Sequence, residues 1–168
     1  ALPNILDAST SGTLTITGLG ASSLTIDANK GNFSIFTINI GANLTISGVT
    51  FSGAKITSGN GGAFNNSGSL TVSNSTISGN TADCGGGIIN NGTGTLTVSD
   101  STISNNTASA YGGGICSDGT LTVTNSTLSG NSATTGGGIY NYGTSSPFGK
   151  GTLNIANTII ANSTSGGD

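Results

Sequence analysis

The chain has 168 residues with three lysines, no arginine, six aspartates and no glutamate or histidine, for a formal net charge of −3. So few basic groups cannot track a phosphate backbone, which excludes nucleic acid as a partner. No apolar run approaches the roughly 18 residues of a membrane-spanning helix, so membrane insertion by this segment is excluded too.

Thirty glycines and abundant Ser, Thr and Asn would suit a disordered chain, but Leu, Ile and Val return in register, which disordered segments lack. Over residues 1–43 that register is irregular. Leu14-Thr15-Ile16, Leu24-Thr25-Ile26 and Leu44-Thr45-Ile46 are 10 and then 20 residues apart, and Phe33 to Ile40 and Val49 to Phe51 are predicted as further strands. Over residues 44–162 one unit recurs. Leu70, Leu96 and Leu121 open a Leu-Thr-Val run at steps of 26 and 25 residues, and Ile77, Ile103 and Leu128 mark a second run at the same steps. Ile88, Ile115 and Ile139 close a glycine block at steps of 27 and 24, with Phe64 in that place one turn earlier. The next Leu falls 32 residues after Leu121, and the surplus is assigned to an inserted loop at 142–150.

A fixed period of this size signals a solenoid. In each run alternate residues point to opposite sides, apolar inward and Thr or Ser outward, while glycines and asparagines permit tight corners. Three runs and three corners in about 25 residues predict an all-β fold, a right-handed parallel β-helix of about six three-sided coils. At about 4.8 Å per coil the single domain would form a rod about 30 Å long. A left-handed β-helix would carry a shorter, hexapeptide period, which is absent.

Polar residues share the period. Asn74, Asp100, Asn125 and Asn157 are expected in one column after the first run, and Asn80, Asn106, Asn131 and Asn162 in another after the second. Asn66, Asn90, Ser117 and Asn141 form a third. Corner asparagines tolerate left-handed backbone angles and can hydrogen-bond along a ladder of like side chains, so these columns are read as structural.

The glycine blocks at 61–64, 85–88, 112–115 and 136–139, paired with Ile-Ser-Gly-Asn, Ile-Ser-Asn-Asn and Leu-Ser-Gly-Asn, resemble the repeats of bacterial polymorphic outer-membrane autotransporters. Those carry Gly-Gly-Ala-Ile and Phe-x-x-Asn type motifs. Here Ile or Leu replaces Phe at 77, 103 and 128; only Phe51 keeps the aromatic, and there the Asn is missing. The resemblance implies a surface-exposed passenger or adhesin-like shaft and brings no catalytic residues with it.

Many parallel β-helices resemble one another as polysaccharide lyases or hydrolases, with clustered Asp, Arg or Lys on one face. Here Asp27, Asp83, Asp100 and Asp118 are placed at different corners, which offers no close pair for acid–base work. Asp83-Cys84-Gly85 runs in the wrong order for calcium-binding nonapeptides. The expectation is no enzyme activity, no metal and no cofactor. Cys84 and Cys116 lie 32 residues apart, offset by five or six residues from one coil. An extended offset of that size exceeds disulfide reach, so two free thiols are expected unless the glycine corner folds back.

Two surfaces remain candidates for contact. Thr71, Thr95, Thr97, Thr120 and Thr122 would form an outward hydroxyl array of the kind ice-binding β-helices present, although exposed Thr is also simply a favoured strand residue. Asn65, Ile89, Cys116 and Tyr140 would stack beside the glycine block, with Tyr142 and Phe148 in the loop nearby. An apolar strip on so polar a surface is either a contact site for a glycan or protein, or lies buried beneath the inserted loop.

The chain starts at Ala1 without Met, and neither Ala1 to Leu6 nor Thr158 to Ile160 looks like the polar cap of a solenoid end. The expected partners are therefore flanking coils of a longer exported protein, or further copies of the chain stacked head to tail. The sequence as a whole leads us to expect an extracellular or cell-surface structural or adhesive rod.

Overall fold

The computed structural model describes residues 13–143 and 151–164. Short alternating runs offer one apolar side each, and a single run cannot bury it alone. They wind into a parallel β-helix, as the repeat predicts, in which every coil closes its own interior.

Three sheets run along the axis, all of parallel strands. The first face holds six strands, Thr13–Thr17, Asn43–Ser47, Ser69–Ser73, Thr95–Ser99, Thr120–Thr124 and Thr152–Ala156, which bound about five turns. The second face holds Thr25–Asp27, Thr50–Ser52, Thr76–Ser78, Thr102–Ser104, Thr127–Ser129 and Ile159–Ala161. The third holds Phe36–Ile38, Phe64–Asn66, Ile88–Asn90, Ile115–Ser117 and Ile139–Asn141. The irregular start follows from this layout. Leu14 pairs with Leu44 on the first face and Ile26 with Phe51 on the second, so the ten-residue spacing of Leu14 and Leu24 separates faces, not coils.

Identical register stacks like on like. Leu14, Leu44, Leu70, Leu96, Leu121 and Leu153 form one inward column, and the four between the ends are at most 1% exposed. A slip of one residue would turn this column outward, so the register is firmly specified. In the early coils the interior is aromatic: Phe51 packs edge-on to Phe64 at 4.8 Å, and Phe36 stacks on Phe64 at 6.1 Å. Later coils replace these rings by Ile88, Ile103, Ile115 and Leu128, all fully buried.

Corners repeat as strictly as strands. After the first face, Asn74, Asp100, Asn125 and Asn157 all adopt φ near +50°. After the second, the same left-handed position is taken by Gly53, Gly79, Asn105, Gly130 and Asn162. Before the third it falls on Gly61, Gly85, Gly112 and Gly136. Only Gly, Asn and Asp accept this geometry cheaply, which explains the composition. The glycines that follow have a second reason. A Cβ on Gly86 would lie 2.5 Å from the carbonyl oxygens of both Gly113 and Thr107, so successive coils touch backbone to backbone.

One element was not expected. Thr81–Cys84 pairs with Thr107–Tyr111, and single bridges extend this fourth ladder from Lys55 to Thr164. Its inward column is Ile56, Ala82, Ala108 and Ala133, all buried. Alanines at one phase of the repeat were the available signal, but a lone Ala between polar residues carries little apolar contrast.

Candidate functional site

The interior polar columns form hydrogen-bonded ladders along the axis. Asn80 donates from Nδ2 to Asn106 Oδ1 at 3.0 Å, and Asn106 does the same to Asn131 at 3.1 Å. Each Oδ1 also accepts the backbone N–H of the preceding asparagine, and all three side chains are fully buried. Asn162 does not belong here: it takes the left-handed corner position, and Ser163 occupies the ladder site. The sequence alignment was one residue out because Ala161-Asn162-Ser163 stands where Ser104-Asn105-Asn106 stands earlier. In the third column Asn66 Nδ2 donates to Asn90 Oδ1 at 2.7 Å, and Asn90 Nδ2 to Ser117 Oγ at 3.1 Å. Ser117 has no amide to pass on, and among the described residues Asn141 Oδ1 is left buried without a partner. Of the exposed corner column, Asn157 Nδ2 reaches Asn125 Oδ1 at 3.3 Å. A further column, of hydroxyls, runs beside them: Ser75, Ser101 and Ser126 each accept a backbone N–H from the coil before and donate to a carbonyl two residues back.

Outside, register lines up the hydroxyls. Thr15, Thr45, Thr71, Thr97, Thr122 and Asn154 form one file of the first face, and Thr13, Asn43, Ser69, Thr95, Thr120 and Thr152 another. Spacing is about 4.8 Å between coils and about 6.6 Å between files. These rows are flat, polar and uninterrupted by charge.

The strip beside the glycine block stacks as Asn65, Ile89, Cys116 and Tyr140. It is not an open surface: Ile89 is 6% exposed and Cys116 fully buried. The glycine corner folds the fourth ladder back against it. The open part is a cluster of tyrosines. Tyr111, which the sequence did not single out, stacks on Tyr140 at 4.8 Å, and Tyr142 meets Tyr140 edge-on at 4.8 Å. Phe148 lies outside the described residues. The Cys116 thiol and the Tyr142 hydroxyl both lie close to Cys84. Burial, then the neighbouring Cys84, pushes the Cys116 thiol far above the ordinary thiol range. Burial and the nearby thiols likewise push the Tyr142 phenol up.

The described aspartates are used one at a time. Asp83 accepts from Gly59 N–H at 2.9 Å and from Ser109 Oγ at 2.8 Å, which holds its carboxyl below the usual carboxylate range. Asp27 accepts from Asn29 N–H, Asp118 from Gly92 N–H, and Asp100 turns a corner. Among the described residues no three His, Cys, Asp or Glu side chains converge as a metal site. Beside Asp118 a shallow groove of about 290 Å³ is lined by Ile40, Ser67, Asn91, Gly92 and Thr93.

No curated protein and no solved structure matches the chain. A family model described as a right handed beta helix region matches residues 8–164. With its coils, ladders and corners on that pattern throughout, the chain belongs to the right-handed β-helix family.

Proposed function

We propose that the chain is a non-catalytic structural and adhesive rod of the cell exterior, a shaft of the autotransporter-passenger type. The observation that carries this reading is the run of side-chain ladders along the axis, which ties each coil to the next and spends nearly every polar group of the interior on the rod itself. Solvent-facing aspartates engaged singly in corner hydrogen bonds support the absence of acid–base chemistry. Incomplete burial of inward positions at both ends, with Leu14 37% and Ile155 43% exposed, favours stacking on flanking coils or on a further copy. Electron microscopy with light scattering on the purified chain at neutral pH tests the stacking. Rods with an axial repeat of about 30 Å support it, and monodisperse monomers refute self-assembly. Cleavage of any member of a polysaccharide panel would overturn the non-catalytic reading.

Two binding readings rest on separate observations. A threonine file in register over five successive strands, Thr15 to Thr122, favours ice binding, which predicts thermal hysteresis that disappears in Thr97→Lys and Thr122→Lys. The tyrosine cluster favours a glycan or protein ligand, and a glycan-array signal that survives Tyr140→Ala would sink that idea.

A further inference from the structure

We propose that Cys84 and Cys116 are an oxidisable thiol pair whose disulfide staples two successive coils. Both are free thiols in this structure. Cys84 lies in the fourth ladder, beside Asn60 in the previous coil and Tyr111 in the next. Cys116 lies on the outward side of the third face, next to Ile89 in the previous coil. Along an extended chain these positions would be out of reach. The glycine corner changes that. Gly85 and Gly112 both take φ just above +60°, and a Cβ placed on Gly112 would stand 2.8 Å from Cys116 Cα. The backbone leaving the fourth ladder therefore doubles back against the third face, and residues 84 and 116 become diagonal neighbours one coil apart. Cys84 adjoins Tyr111, the residue just before the Gly112 that crowds Cys116, so the two thiols flank one corner. No third ligating side chain joins them among the described residues, so the pair is suited to redox chemistry and not to a metal.

Access assigns the order of events. Cys116 is fully buried and Cys84 half-buried, so a small oxidant meets Cys84 first. With a low-molecular-weight disulfide as oxidant, the Cys84 thiolate bonds to one sulfur of the reagent and expels the other as a thiolate. Cys116 then attacks Cys84 Sγ and releases the second reagent thiolate, which takes up the Cys116 proton. Two protein thiols are oxidised and one reagent disulfide is reduced to two thiols. The link closes a loop of more than one full coil, which restricts the unfolded chain.

The test treats the folded full-length chain with oxidised glutathione and reads intact mass, peptide linkage and thermal unfolding. The expected product has lost two hydrogens, contains a Cys84–Cys116 peptide link and melts roughly 10 °C higher than the reduced protein. Unreacted thiols, a stable glutathione adduct on wild-type protein, or dimers linked between chains would each overturn the proposal. Two variants check the order. Cys116→Ser should stop as a glutathione adduct on Cys84, and Cys84→Ser should stay unmodified while folded. The reverse pattern would refute Cys84 as the entry thiol.

Discussion

Ser117→Asn should stabilise this protein. In the third polar column Asn66 and Asn90 each pass an amide N–H to the next coil, and Ser117 breaks the chain of donors, so among the described residues Asn141 Oδ1 is buried without a partner. The space is set by a template two coils earlier. Asn66 is followed by the corner Ser67-Gly68, of the same length as Asp118-Gly119, and its Nδ2 contacts Gly68 O at 3.4 Å, Asn90 Oδ1 at 2.7 Å and Thr95 O at 3.1 Å. The equivalents for an amide at 117 are Gly119 O, Asn141 Oδ1 and Thr152 O. Relieving one orphaned buried acceptor is worth about 1–3 kcal/mol, and fixing the longer side chain costs about 0.5–1 kcal/mol. Taking the middle of each range, the net gain is about 1 kcal/mol, or a rise in Tm of roughly 2–4 °C for a chain of this length. Thermal and urea unfolding followed by circular dichroism read this directly. An unchanged or lowered Tm would mean that Asn141 Oδ1 is satisfied some other way or that the column has no room, and the ladder reasoning would be wrong.

The converse change, Asn106→Ala, orphans Asn80 N–H and removes one of the three acceptors of Asn80 Nδ2, and should cost about 2–4 kcal/mol in urea unfolding. At the exposed corner, Asn74→Gly should fall within about 0.5 kcal/mol of the parent while Asn74→Val should lose about 1–2 kcal/mol, because φ is +48° there. Gly86→Ala drives a Cβ into two carbonyls and should cost at least about 3 kcal/mol, seen as a large fall in Tm. Asp83, whose folded carboxyl is held below its ordinary value, contributes stability above the unfolded pKa of about 3.9 that is lost as pH falls through the folded value. Asp83→Asn should therefore be less stable than the parent near neutrality, with the gap closing in strong acid, as pH-dependent melting would reveal.

Much of this fold was legible because its rules are local. A Leu-Thr-Val run declares its own inward side, and a corner at one left-handed residue admits few side chains, so the period, the strands and the Asn74 column could be read off the chain. The misplaced Asn162 shows the limit: two adjacent asparagines, 105 and 106, do different jobs, one turning the backbone and the other bridging coils, and composition cannot tell them apart. Ser117 is the one member of its column that is not asparagine. Its effect on Asn141 is visible only when donors and acceptors are followed from coil to coil.

By itself the sequence determined the solenoid, its polar skin and its scarcity of charge, since each follows from alternation and composition within one repeat. Tertiary structure decided what the glycine block does. Whether a Gly-Gly-Gly segment runs straight on or doubles back depends on the coil it must fit against, because glycine itself prefers neither. That one bend creates the fourth ladder, buries Ile89 and Cys116, and makes two cysteines 32 residues apart diagonal neighbours on successive coils.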